Sequence, residues 1–300
     1  MEPKSIVFRQ IVHTWMFGDL PIESIADSLA KIGADGADLG VSKKYAYNNV
    51  EEFLKKDLAA VFTGRGLSIG AVTPLFYEHD LDLSSPDKAI RGSAIGFCNL
   101  CIELAGSLGC SRMLIVPSWI KAPHKFYTSL EEDWKRAVDS IAELAGYASG
   151  FGVTLMIEPV NRYLVTLVHT IAEAMQMAAD TCMPNVSVAP DTFHMGIEEP
   201  DDLRSAIRRC GRELKILHVA EKNRRAPGFG ITDWTALLLT LDEIGFAGCL
   251  SHEPYRLYFD EKLVASDPVC RSQYEDELSE SVKFLRNCMA AAELRGRYTP

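Results

Sequence analysis

The chain has 300 residues, 47% of them hydrophobic, and a formal net charge of −10. That length and composition suit a soluble protein with a sizeable core, and the acidic balance argues against broad contact with phosphate backbones, which needs clustered Lys and Arg. No stretch approaches the ~20 apolar residues of a membrane span, and the opening MEPKSIVFRQIVHTW carries no signal-peptide pattern, so a cytoplasmic protein is expected, with neither nucleic acid nor membrane as partner.

Short apolar runs alternate with amphipathic stretches from one end of the chain to the other. In chain order, the run VFRQIV (7–12) is the first expected strand, followed by the helical IESIADSLAKIG. GADLG (36–40) leads into VEEFLKKDLAAVFTGRG. LSIGAV (67–72) is separated by an irregular insertion, YEHDLDLSSP (77–86), from DKAIRGSAIGFCNLCIELAGSLG. RMLIVP (112–117) precedes LEEDWKRAVDSIAELAGYASGFG, VTLMIEP (153–159) precedes HTIAEAMQMAAD, and VSVAPD (186–191) precedes PDDLRSAIRRC. LKILHVA (214–220) precedes DWTALLLTLDEIG; GCLSHE (248–253) is followed by a second irregular stretch, RLYFDEKLVASDPVCRS (256–272), and then YEDELSESVKFLRNCMAAAELRG. Gly33, Gly66, Gly109, Gly152 and Gly245 stand where these helices should stop. Eight strand–helix pairs with no linker between them predict an α/β fold, a single (β/α)8 TIM barrel spanning 1–300.

Eight cysteines are scattered at 98, 101, 110, 182, 210, 249, 270 and 288, without the spacing of a secreted disulfide framework. Cys98 and Cys101 form a CxxC, but it falls inside a predicted helix and no second pair follows. Buried thiols are expected there rather than zinc or redox chemistry.

In such a barrel, chemistry sits at the C-terminal ends of the strands. The fifth strand offers Glu158 there, the sixth Asp191, the seventh His218 and the eighth Glu253, spaced 33, 27 and 35 residues apart. One βα unit takes roughly 31 residues, so one polar side chain recurs per unit at one height of the barrel. Strand alternation that points His218 and Glu253 inward turns His252 outward. A single acidic residue at a strand end is more often a helix cap or a surface charge, and a lone His in LKILHVA more often a satisfied core residue. Four on consecutive strands are harder to explain that way. Three converging carboxylates repel one another unless a cation intervenes, and carboxylates with an imidazole suit Mn, Co, Fe, Mg or Zn.

The segments MIEPVNRY, APDTFHMGIEE, LHVAEKNRRAPGFG and SHEPY resemble, in order and spacing, the D-tagatose/D-psicose 3-epimerase group of the xylose-isomerase-like sugar isomerase/epimerase barrels. The resemblance covers most of the chain and is strongest over 153–255. It implies one Mn2+ ion, with Co2+, Mg2+, Fe2+ or Zn2+ as alternatives and no organic cofactor, held by Glu158, Asp191, His218 and Glu253. It further implies a keto-sugar substrate and a homodimer or homotetramer. Glu158 and Glu253 would be the acid/base pair: one removes the proton beside the ketone to give a metal-bound cis-enediolate, the other reprotonates the opposite face. His194 and Arg224 match positions that contact the carbonyl side of the substrate. Trp119, and with less support Trp15, would form an apolar wall; either would otherwise be core. Arg225 is expected in a structural or solvent-facing pair, and His169 at the entry of a helix. His13 is a pocket candidate, His79 an exposed loop residue, and His124 a loop residue within reach of the mouth.

Leu164 departs from the pattern. The family commonly reads NRYE or NRFE, with the Glu at the O1/O2 end of the substrate, where this chain reads NRYL. The expectation is conserved metal chemistry on a less polar or bulkier substrate, such as a keto-glycoside; Phe229 in PGFG points the same way. The competing outcome is a lyase, in which the enediolate expels a leaving group, as in an inosose-type dehydratase or a 3-keto-C-glycoside deglycosidase. An endonuclease IV-like repair enzyme would need more His ligands and a basic face. A non-catalytic sugar-binding relative would not need the intact set of two Glu, Asp and His.

Overall fold

The computed structural model describes residues 6–43, 49–76, 81–120, 126–255 and 260–298, with side chains as far as residue 294. His79 and His124 lie outside the described residues.

All eight predicted strands form: β1 (Arg9–His13), β2 (Gly36–Val41), β3 (Ser68–Pro74), β4 (Arg112–Ile115), β5 (Thr154–Ile157), β6 (Val186–Val188), β7 (Ile216–Val219) and β8 (Cys249–His252). They pair in parallel in the order β6-β5-β4-β3-β2-β1-β8-β7. The outer two, β6 and β7, meet through the bridges Val188–Leu214 and Asp191–His218, which close the ring. The result is a TIM barrel, whose strands read as near-continuous apolar runs because helices cover their outer faces.

The helices are α1 (Ile22–Ile32), α2 (Val50–Leu54), α3 (Leu58–Thr63), α4 (Lys88–Ser107), α5 (Leu130–Ser149), α6 (Ile171–Asp180), α7 (Thr192–Glu198), α8 (Leu203–Cys210), α9 (Trp234–Glu243), α10 (Glu261–Ser266) and α11 (Pro268–Tyr298). The predicted helix over 50–66 is two helices. Asp57 turns its carboxylate onto the Ala60 N–H, and this cap starts α3 instead of continuing α2. The stretch 260–272, expected to be irregular, forms α10 and the first turn of α11, with Pro268 at the first helical position. Of the other irregular segment, residues 81–86 pack on α5: the Leu83 carbonyl accepts from Ser140 Oγ (2.9 Å) and the Ser84 carbonyl from Arg136 Nε (2.8 Å). Gly33, Gly66, Gly109, Gly152 and Gly245 all have positive φ, between 63° and 82°, as helix-stopping glycines should.

His252 points outward from the barrel, as alternation required. Its Nε2 meets Gln10 Oε1 at 2.9 Å and its Nδ1 meets Ser281 Oγ of α11 at 3.3 Å. Cys98 and Cys101 are buried in α4, and burial pushes both thiols up, away from the reactive thiolate. No helix among the described residues is long and apolar enough to cross a membrane.

Candidate metal and sugar site

Glu158, Asp191, His218 and Glu253 converge at the C-terminal end of the barrel, and each is at most 9% exposed. Glu158 follows β5, its N–H held by the Ile115 carbonyl of the neighbouring strand at 3.0 Å. Asp191 and His218 are partners across the β6–β7 seam. His218 Nδ1 lies 2.9 Å from Glu253 Oε2 and 3.4 Å from Glu158 Oε1. Asp191 is the N-cap of α7, a helix whose seven residues are too few to show a periodicity in the sequence. One carboxylate oxygen caps Phe193 N at 2.7 Å; the other, Oδ2, is buried with no hydrogen-bond partner.

Two overlapping triplets bring ligand atoms within 4.8 Å of one another: Glu158, Asp191 and His194, and Glu158, His218 and Glu253. Hydrogen bonding separates the roles of the two imidazoles. Asn161 Nδ2 donates to His194 Nδ1 at 2.7 Å, which leaves the ring proton on Nε2 and makes His194 a donor rather than a ligand. Burial, with the charge of Arg224 adding, pushes its pKa down to about 3, so the ring is neutral. His218 instead turns Nδ1 to the carboxylates, and its Nε2 reaches Asp38 Oδ2 at 3.0 Å.

The electrostatics are those of a cation site. Burial, then repulsion from Glu253, push Asp191 up to about 8. Burial also raises Glu158, with the Glu253 charge adding and His218 opposing. Burial alone would raise Glu253, but the His218 hydrogen bond and the nearby positive groups hold it below the usual carboxylate range. Burial alone would lower His218, yet bonds to three carboxylates carry it well above the usual imidazole value. A buried cluster of this sign is costly unless a cation compensates it. The buried, unpartnered Asp191 Oδ2 and the mixed carboxylate–imidazole set both fit a divalent ion.

A cavity of about 380 Å³ opens beside the cluster. Glu158, His194, Arg224 and Glu253 line it, together with the aliphatic residues Leu75 after β3, Ile120 after β4, and Val160 and Leu164 after β5. Trp15 also lines it, stacked on Tyr255 with ring centroids 5.7 Å apart. Arg224 has a left-handed backbone (φ 59°), held by its N–H to the Glu221 carbonyl and its carbonyl to Tyr255 N. Its guanidinium lies 4.7 Å over the Phe193 ring, and its Nε is buried without a partner, as is Trp15 Nε1. Two residues of the cavity lining thus carry a buried donor without a partner, which suits an oxygen-bearing ligand.

Other sequence candidates fall elsewhere. Trp119 is half-buried just beyond β4, where its neighbour Ile120 is the residue lining the cavity. His13 packs its ring against His218 at 5.8 Å and accepts from Trp15 N rather than facing the cavity. Arg225 pairs with Glu277 (2.8 Å) and covers the Phe229 ring, so that ring is used within its own loop. His169 bonds the Val160 carbonyl at the entry of α6, as expected. Asp38, Asn161 and Tyr255 were not singled out in the sequence. A charged residue inside the fully buried strand GADLGV was the available signal for Asp38.

Residues 26–288 match the family described as xylose isomerase-like TIM barrels. The chain is 31% identical over 229 residues to an L-ribulose 3-epimerase of Mesorhizobium japonicum, covering 75% of this chain and 74% of that one. It is 26% identical over 265 residues to a 3-dehydro-D-guloside 4-epimerase of Escherichia coli, covering 87% and 92%. The solved D-psicose 3-epimerase of Clostridium cellulolyticum H10 with D-tagatose superposes with a TM-score of 0.77 at 25% identity, covering 94% of this chain and 99% of that one. With its fold, its metal-type cluster and these relatives, the chain belongs to the xylose isomerase-like TIM-barrel family, as a ketose 3-epimerase-like member.

Proposed function

We propose that the protein is a divalent-metal-dependent epimerase of a keto-sugar, with the whole chain acting as one catalytic domain. The observation that carries this is the meeting of Glu158 and Glu253 at one His218 nitrogen, beside a cavity with two unpartnered buried donors. Glu158, Asp191, His218 and Glu253 would hold the ion, with Mn2+ preferred over Co2+, Mg2+, Fe2+ and Zn2+. When bound, such an ion supplies Lewis-acid stabilisation to the oxygen that gains negative charge.

Glu158 and Glu253 come from strands three apart around the ring, so they approach a bound carbon from different sides. One of the pair, as a carboxylate, takes the proton from the carbon beside the ketone, and the C–H electron pair moves into an enediolate. The other enters the step as the carboxylic acid and gives its own proton to the opposite face, which inverts the centre and leaves the two groups with their protonation states exchanged. The neutral His194, with its proton on Nε2, and Arg224 donate hydrogen bonds to the enediolate oxygens. Asp19, Glu261 and Lys262 also line the cavity.

Leu164 supports a finer reading. With Leu75, Ile120 and Val160 it presents aliphatic surface to the substrate, which favours a keto-sugar bearing an apolar substituent, such as a keto-glycoside. The E. coli relative named for a 3-dehydro-guloside agrees with this. The family resemblance favours a homodimer or homotetramer. The test is proton NMR in D2O of the Mn2+-loaded protein with free ketoses and 3-keto-glycosides. Deuterium beside the ketone together with a new epimer is expected. Deuterium with loss of an aglycone or water would make the enzyme a lyase, and no exchange with any sugar would overturn the keto-sugar reading.

A further inference from the structure

Asp38 lies in the middle of β2, completely buried, yet it bonds across the barrel interior to three other strands. Thr73 Oγ1 of β3 donates to its Oδ1 at 2.6 Å. Its Oδ2 receives Ser251 Oγ of β8 at 2.9 Å and faces His218 Nε2 of β7 at 3.0 Å. The β2–β3 register slips at Ala37/Asp38, leaving Gly70 of β3 unpaired. A bulge of this kind re-aims the side chains beside it. A Cβ at Gly70 would approach Ile11 Cδ1 to 2.7 Å, so a larger residue there would have to displace the Ile11 side chain.

We propose that Asp38 is the positioning residue of the metal centre: it takes the Nε2 proton of His218, fixes the ring tautomer, and leaves the Nδ1 lone pair aimed at the ion between Glu158 and Glu253. The inference rests on the metal reading above. One hydroxyl donor holds each carboxylate oxygen, so Asp38 cannot rotate away from His218 without stranding Thr73 or Ser251. A carboxylate behind a ligating imidazole sets both ring orientation and ligand basicity. No sequence motif carries this role, because it exists only where β2, β3, β7 and β8 surround one point.

The test is calorimetric titration of Mn2+ into the metal-free full-length protein and its Asp38→Asn variant, with the metal-free melting temperature measured alongside. Asp38→Asn keeps the shape and removes the charge. A loss of roughly 10–100-fold in Mn2+ affinity is expected, with the metal-free melting temperature changed little. Unchanged affinity overturns the inference, including the case in which only the metal-free melting temperature falls, since that is a purely structural role. If the wild type itself binds no ion, the metal reading fails and this inference with it. Should Asp38→Asn not fold, Thr73→Val frees the other carboxylate oxygen without touching His218. It should weaken Mn2+ binding roughly three- to tenfold, and wild-type affinity in that variant overturns the inference.

Discussion

Replacing Leu164 with Glu turns a patch of aliphatic cavity wall into a hydrogen-bond acceptor. Leu164 is half-buried, and its backbone N–H is fixed to the Asn161 carbonyl at 2.9 Å, so the new side chain leaves from the same place. A sugar hydroxyl held against leucine forgoes a partner, at a cost of about 1–3 kcal/mol. At 1.4 kcal/mol per tenfold, supplying that partner is worth roughly 5–150-fold in kcat/KM. Leu164→Glu should therefore raise kcat/KM for free ketohexoses by that factor and lower it for keto-glycosides. The added carboxylate would join Glu158 and Glu253 on the same cavity; Leu164→Gln separates hydrogen bonding from this added charge. The assay is initial-rate epimerisation of both substrate classes by both variants, each loaded with Mn2+. If neither variant gains activity on free ketohexoses, the apolar wall does not set specificity and the reasoning from Leu164 fails.

Other changes test the remaining parts of the site. His194→Gln should lower kcat by about 10²–10³ with little change in KM, because it removes a donor used mainly when the oxygen becomes charged; a loss confined to KM would contradict that role. Asp191, pushed up to about 8, and His218, raised well above its usual value, hold protons that an ion must displace. Both shifts are upward, so the protonated forms favour the metal-free fold at low pH and that contribution fades as pH rises. The melting-temperature gain on adding Mn2+ should thus be larger at about pH 8.5 than at about pH 6, and a pH-independent gain would refute the proton competition. Glu221 is buried and accepts from Gly228 N, Thr232 N, Thr232 Oγ1 and Trp234 Nε1, which shapes the loop carrying Arg224. Glu221→Ala strands several of these donors at about 1–3 kcal/mol each, so the melting temperature should drop by about 5–10 °C. An unchanged melting curve would show that water replaces the carboxylate without loss.

The barrel was legible because each strand is a short apolar run ended by a polar residue or glycine, and the period of about 31 residues survives loops of unequal length. Glu158, Asp191, His218 and Glu253 were visible because they sit at those ends, where nothing but a site or a cap needs charge. His194 was reached through the family resemblance, but its role as a donor depends on Asn161, 33 residues away in sequence. Asp38 is marked in the sequence only as a charge inside an apolar strand; its role makes sense once Thr73, His218 and Ser251 surround it. The break between α2 and α3 was missed because local capping by Asp57 overrode a helical apolar pattern. Trp119 and Phe229 were read as cavity surface from position alone, whereas Ile120 lines the wall and Phe229 is covered by Arg225. Side-chain direction in loops is set by packing that no periodicity encodes.

The central claim is that four side chains from β5 to β8 share one ion. It is tested most directly by an anomalous difference map from crystals of the full chain grown with Mn2+. The account predicts one strong peak per chain, within about 2.0–2.6 Å of carboxylate oxygens of Glu158, Asp191 and Glu253 and of His218 Nδ1. A peak bound through His194 in place of His218, or no peak at this end of the barrel in Mn2+-saturated crystals, would contradict it.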